Sequence, residues 1–174
     1  MLLCCRKTMN VAMLSARYRV RVLLPEDAPK IVALCRGNPL FYRYCPPFVT
    51  EERVLADMRA LPPEKEAKDK YYAGFFERDR LIAVLDLILD YPVEYSAFIG
   101  FFMTDISIQN RGIGSSIIGE ICRMLKEGGY REMRLGWAKG NPQSSHFWQK
   151  NGFRETGDSY ETDGYTVLIA RRDL

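Results

Sequence analysis

Gln109-Asn110-Arg111-Gly112-Ile113-Gly114-Ser115-Ser116 is the stretch whose residue types and spacing best suit it to hold a charged ligand. It stands where a strand-like run over residues 98–108, rich in β-branched and aromatic side chains, meets a helical pattern of Ile113, Ile117, Ile118, Ile121 and Leu125. Glycines at such a junction allow close approach of the backbone to a ligand, and the first helical turn carries N–H groups without intrahelical acceptors. Those donors and the positive end of the helix dipole point the same way, which suits a phosphate or another anion. Particular residues exclude two familiar nucleotide loops. A P-loop needs Gly-Lys-Ser/Thr, and the chain contains no Gly-Lys pair. A dinucleotide fingerprint needs a third glycine, and Ile117 stands in its place. What remains is the pattern Q/R-x-x-G-x-G/A, met by Gln109, Gly112 and Gly114.

That pattern alone is short, but a second block follows: Asn141-x-x-Ser144-x-x-Phe147-Trp148-x-x-x-Gly152-Phe153. Together the two blocks resemble those of the GNAT superfamily of acyl-CoA-dependent N-acyltransferases. In that family the second block typically reads Asn-x-x-Ala-x-x-(apolar)-Tyr-x-x-x-Gly-Phe. The resemblance extends from about Tyr18, where Tyr18-Arg-Val-Arg and Pro25-Glu-Asp-Ala look like the family's first strand and helix, to the C-terminus.

The resemblance implies that acetyl-CoA is the acyl donor, with no metal involved. Backbone N–H groups of Arg111, Gly112, Ile113, Gly114 and Ser115 would hold the CoA diphosphate, with Gln109 and Asn110 leading into the loop. Phe102, Met103 and Thr104 match the strand end that pairs with the pantetheine arm. Asn141 matches a residue that hydrogen-bonds the arm, although a plain helix N-cap explains it equally well. Ser144 occupies the small-residue position of the second block. Phe147 and Trp148 would lie at the thioester or serve as core, the usual fate of aromatics. Lys150, with Lys139 and Arg111, could meet the outer phosphates. One departure stands out: Trp148 replaces the tyrosine that often protonates the leaving thiolate, and an indole N–H is a donor but not a usable acid.

Attack of an amine on a thioester requires the neutral amine, so a proton acceptor is wanted. Asp86 is one candidate, an acid inside the apolar run Val84-Leu-Asp-Leu-Ile-Leu that shares a face with Val84 and Ile88. A buried carboxylate needs a partner, and either a cationic substrate, a lysine or solvent would answer that need. His146, in the second block, is the other candidate. Tyr91 and Tyr95 could border an acceptor pocket. The resulting expectation is acetyl transfer to a primary amine of a small molecule or a protein; the rival is a catalytically silent acyl-CoA-binding sensor or scaffold, motivated by Trp148.

The elements that must position these residues follow from periodicity. Arg17 to Leu24 alternates as a half-buried strand; Pro25-Glu26-Asp27 opens a helix that stops at Gly37-Asn38-Pro39; Thr50 caps a second helix. Residues 71–76 and 81–89 read as an antiparallel hairpin around the turn Glu77-Arg-Asp-Arg, and the strand before the glycine junction follows. The helix from Gly112 closes at Gly128-Gly129; a short strand through Met133, Leu135 and Trp137 precedes the Asn141 helix, and the last strand follows a polar turn over residues 157–164. The order β-α-α-β-β-β-α-β-α-β-β predicts a mixed α/β (α+β) fold, which the resemblance makes a mostly antiparallel, twisted sheet of six to seven strands with about four helices. Residues 1–15 read as a loosely ordered lead-in and residues 16–174 as one domain.

At 174 residues the chain suits one domain, and its net charge of +3 is too mild to suggest nucleic acid. No apolar run approaches the ~18 residues of a membrane span. The five cysteines follow no zinc spacing and the chain has one histidine, so reduced thiols in a cytoplasmic protein are expected rather than a metal site. The sequence leaves a homodimer open.

Overall fold

The structure is a computed structural model that describes residues 9–174. Twelve elements of regular structure follow one another: β1 (Arg19–Val22), α1 (Ala28–Arg36), α2 (Pro39–Tyr44), α3 (Glu51–Arg59), β2 (Lys70–Glu77), β3 (Arg80–Leu89), β4 (Ser96–Thr104), α4 (Ile113–Glu127), β5 (Glu132–Ala138), α5 (Pro142–Lys150), β6 (Arg154–Glu161) and β7 (Thr166–Asp173). The seven strands form one sheet in the order β1-β2-β3-β4-β5-β7-β6. Every neighbouring pair is antiparallel except β4 and β5, which the crossover through α4 makes parallel. This is the mixed, mostly antiparallel sheet expected.

Both faces of the central strands are covered, which explains why β3 is buried along almost its whole length. On one face Leu85, Leu87, Ile99 and Leu135 pack with Ile117, Ile118 and Ile121 of α4 and Trp148 of α5. On the other, Val84, Tyr72, Phe76 and Met103 meet Ile31, Leu34 and Cys35 of α1 and Val54 of α3. The spacing of Ile117, Ile121 and Leu125, all at most 1% exposed, is that of one helical stripe.

Several boundaries differ from the expectation. Pro39 does not simply end α1; it occupies the first turn of an additional short helix, where a missing N–H costs nothing. The β2–β3 turn has two residues, not four: Glu77 pairs with Arg80, and Arg78 turns the chain at φ 55°. The strand before the glycine junction stops at Thr104, because Asp105 accepts from the Ser107 N–H and starts a 3₁₀ turn. The polar stretch after Gly157 is β6 itself, its register shifted between Glu155 and Ser159 with Gly157 at φ 93°. Of the expected loose lead-in, residues 1–8 lie outside the described residues. Val11–Leu14 form a 3₁₀ turn, Leu14 is fully buried, and the Ser15 hydroxyl donates to Glu120 of α4 at 2.6 Å, so residues 11–15 belong to the packed fold.

The start of α1 is fixed by an ion pair. Arg21 of β1 donates two hydrogen bonds to the Asp27 carboxylate, at 2.7 and 2.8 Å, and the Leu24 N–H adds a third at 2.9 Å. The Arg21 hydrogen bonds hold the Asp27 carboxyl down at about 2. Because that value is depressed, the stabilisation is present above the ordinary carboxylate range and lost as pH falls through about 2. Asp27→Asn is therefore expected to cost about 1–2 kcal/mol at pH 7, allowing for partial screening of Arg21. Denaturant melts between pH 7 and 2 would show the variant and the parent converging at the acid end.

Candidate active site

The site is a gap in the sheet. β4 and β5 pair from Ser96 opposite Glu132 to Ile99 opposite Leu135, and their pairing ends there. At the same point β4 carries a bulge, since Asp86 and Leu87 are consecutive on β3 yet face Phe101 and Ile99, leaving Gly100 as the extra residue. A bulge bends its strand and increases its twist, so residues 100–104 turn away from residues 136–138. A cavity of about 660 Å³ fills the opening. Its wall includes Phe102, Met103, Thr104, Gln109, Asn110, Gly112, Gly114, Ser115, Ser144, His146, Phe147, Trp148 and Lys150. All of these were expected from sequence, and the fold brings them together.

The glycine loop leads into this cavity. Asn110 at φ 59° and Gly112 at φ 75° both take the left-handed conformation, and Gly112 caps α4. The first helical hydrogen bond runs from the Ser116 N–H to the Gly112 carbonyl. The N–H groups of Ile113, Gly114 and Ser115 precede it, so helix geometry offers them no carbonyl. A Cβ built on Gly112 meets no atom within 4 Å, so its hydrogen faces open space; at Gly114 a Cβ would come within 3.2 Å of Phe147 and 3.5 Å of Thr104. Gly114 thus lets α4 and α5 approach each other beside the end of β4. The Arg111 and Ile113 side chains stand outside the cavity wall, Arg111 exposed and Ile113 packed against the core.

Asn141 is 1% exposed and its side-chain oxygen accepts from the Gln143 and Ser144 N–H groups at 3.1 Å, so the N-cap reading holds. Its Nδ2 is buried without a partner among the described residues, a donor left over after the cap is made. Phe147 stacks on Phe102 with centroids 6.0 Å apart, and Trp148 meets Phe147 and Phe153 edge-on. Trp148 is therefore both core and cavity wall.

Asn38 joins the site without a signal in its local sequence. Its amide donates to the Leu34 and Thr104 carbonyls at 3.1 Å and accepts from Gln109 Nε2 at 2.6 Å, while Gln143 donates to Gln109 Oε1 at 3.3 Å. This chain of amides ties the end of α1 to β4, the glycine loop and α5 across the cavity rim. Gln109 acts here as a brace for the strand end. Asn38 next to Pro39 read only as a helix stop, and no local pattern marks a contact 66 residues away.

Asp86 is placed differently from the expectation. Its Oδ2 accepts from Lys70 at 2.8 Å, with both side chains at most 10% exposed, and Asp86 is absent from the cavity wall. It lies behind Gly100, where an added Cβ would come within 2.7 Å of Oδ2. Burial raises the Asp86 carboxyl above its usual range, and Lys70 only partly opposes that. Lysine thus answers Oδ2, while Oδ1 is buried without a partner among the described residues. His146 is an exposed side chain on the wall. Tyr91 backs Phe98 edge-on at 5.5 Å, one layer behind the wall, and Tyr95 is 39% exposed outside it. Cys45 also lines the cavity, and burial pushes its thiol up to about 11, so it stays protonated at neutral pH and is a poor nucleophile. Among the described residues no group of three or more His, Cys, Asp or Glu could hold a metal, and no helix is long and apolar enough to cross a membrane.

The site is a sheet opened at a bulge, with a glycine-capped helix start beside the opening and a cavity between them. The chain belongs to the acetyltransferase (GNAT) family, whose model matches residues 29–153. Its structure is similar to an acetyltransferase from Thermus thermophilus, with a TM-score of 0.72 at 22% identity over 90% of this chain and 97% of that one. It is similar also to the PaiA N-acetyltransferase of Thermoplasma acidophilum, solved in complex with coenzyme A, with a TM-score of 0.61 at 22% identity over 90% and 99% of the two chains. For Ard1 from Thermoplasma volcanium the TM-score is 0.63 at 17% identity, over 90% and 97%. No curated protein matches the sequence.

Proposed function

We propose that this protein transfers the acetyl group of acetyl-CoA to a primary amine by direct attack on the thioester. The observation that carries the reading is the opening of β4 from β5 beside a helix start whose residues Gly112, Gly114 and Ser115 line the same cavity. The diphosphate would rest on the N–H groups of Gly112, Ile113, Gly114 and Ser115, and the open space at Gly112 leaves room for it. The backbone of Phe102, Met103 and Thr104 would pair with the pantetheine arm as an added strand; Asn141 is buried behind the wall, and its unused Nδ2 would donate to the arm only where the arm reaches past Ser144. Lys150 is on the wall where outer phosphates would emerge. The coenzyme supplies an activated acyl group and a thiol leaving group.

In the transfer, the lone pair of the neutral amine forms the N–C bond, the C–S bond breaks, and its electrons leave on sulfur. The proton lost by the amine goes to His146 or to water at the open rim. Trp148 cannot protonate the sulfur, but a thiol with pKa near ~8.5 leaves as thiolate without a strong acid. Trp148 also motivates a second reading, a CoA-binding module without turnover.

The test has two stages. Saturating acetyl-CoA, at about 100 times its Kd, should stabilise the fold by about 2.7 kcal/mol, read as a rise in Tm. Thiol release against a panel of amines should then show turnover. Absence of the thermal shift would refute CoA binding, and a shift without turnover on any amine would favour the silent module.

A further inference from the structure

We propose that the acceptor is a monoamine carried on an aromatic or bulky apolar body, and that polyamines and lysine side chains of basic peptides are poor acceptors. This rests on the transfer reading above and specifies its second substrate. The part of the cavity on the α1–α3 side of the sheet is walled by Phe41, Phe98, Phe101, Tyr160, Tyr165 and Cys45. Phe41 and Phe101 brace each other edge-on at 5.8 Å, and Phe98 is held by Tyr91 at 5.5 Å, so these rings are fixed walls. The turn between β6 and β7 closes over them: a Cβ on Gly164 would lie 3.7 Å from Pro46, next to Cys45. Tyr160, half exposed, stands at the rim.

Charge points the same way. No aspartate or glutamate is among the described wall residues. Asp86, behind Gly100 and off the wall, gives Oδ2 to Lys70 at 2.8 Å, and its Oδ1 is buried without a partner among the described residues, so it leaves one oxygen for one ammonium and nothing for further cations. A single ammonium near the thioester can rest against ring faces until it loses its proton. The further cations of a polyamine would be stripped of water in an aromatic slot that pairs none of them, which is strongly unfavourable. A flat apolar body gains contact from the same walls.

The test uses the full chain with acetyl-CoA and compares phenethylamine, hexylamine, spermidine and a lysine-containing basic peptide by thiol release. Phenethylamine should exceed spermidine and the peptide by about 100-fold or more in kcat/KM. Phe98→Ala should raise the KM for phenethylamine about tenfold or more while acetyl-CoA affinity holds; Phe98→Leu, which keeps the volume, serves if the alanine variant does not fold. Equal or better use of spermidine or the peptide would overturn the acceptor class and leave acetyl transfer standing. Thiol release with none of the four would overturn the acceptor class, and extending that silence to the wider amine panel would refute transfer itself.

Discussion

Gly114→Val is expected to weaken acetyl-CoA binding by about 100-fold or more, equivalent to about 2.7 kcal/mol, while the apo protein keeps its secondary structure. A Cβ alone would sit 3.2 Å from the Phe147 ring and 3.5 Å from the Thr104 methyl. The two γ-carbons of valine would have to push Phe147 into the cavity or separate α4 from the end of β4. The first movement obstructs the cavity, and the second displaces the N–H groups of the first turn from the place a diphosphate would occupy. Gly119, farther along α4, provides the control, because a Cβ there meets nothing within 4 Å. Gly119→Ala should leave affinity unchanged and stabilise the helix by about 0.5–1 kcal/mol. Titration calorimetry with acetyl-CoA, beside circular dichroism of the apo variants, measures both. Unchanged affinity in folded Gly114→Val would refute the loop's role.

What could be read from sequence was local. The helix start at Gly112, the cap at Asn141 and the alternation of Met133, Leu135 and Trp137 are each written within a few residues, and the fold places all of them as the pattern predicts. The cavity's polar rim was not readable in this way. Asn38 reaches Thr104 and Gln109 only because the end of α1 is packed against β4, and Cys45 and Tyr165 come together only because the β6–β7 turn folds over residues 45–47. Gly100 carries the same lesson. Within Phe98-Ile-Gly-Phe-Phe it looks like a weak point in a strand, yet it is the bulge at which β4 leaves β5. Short helices such as α2 also escape periodicity, since six residues span less than two turns.

Asp86→Asn is expected to destabilise the protein by about 3 kcal/mol without moving the pH dependence of acetyl transfer. The variant leaves the Lys70 ammonium buried, still donating to the Ala60 carbonyl at 2.8 Å but without its anionic partner. Lys70→Met should cost a similar amount by stranding the carboxylate. The double variant Lys70→Met/Asp86→Leu, which removes both charges and fills the space with apolar groups, should recover most of the loss. Catalysis separates the structural role from a chemical one. Asp86 is outside the cavity wall and engaged by Lys70, so a folded Asp86→Asn enzyme should keep the parent's pH profile for kcat/KM. Loss of the acidic limb of activity in that variant, at unchanged acetyl-CoA affinity, would return Asp86 to the role of base acting through the gap at Gly100.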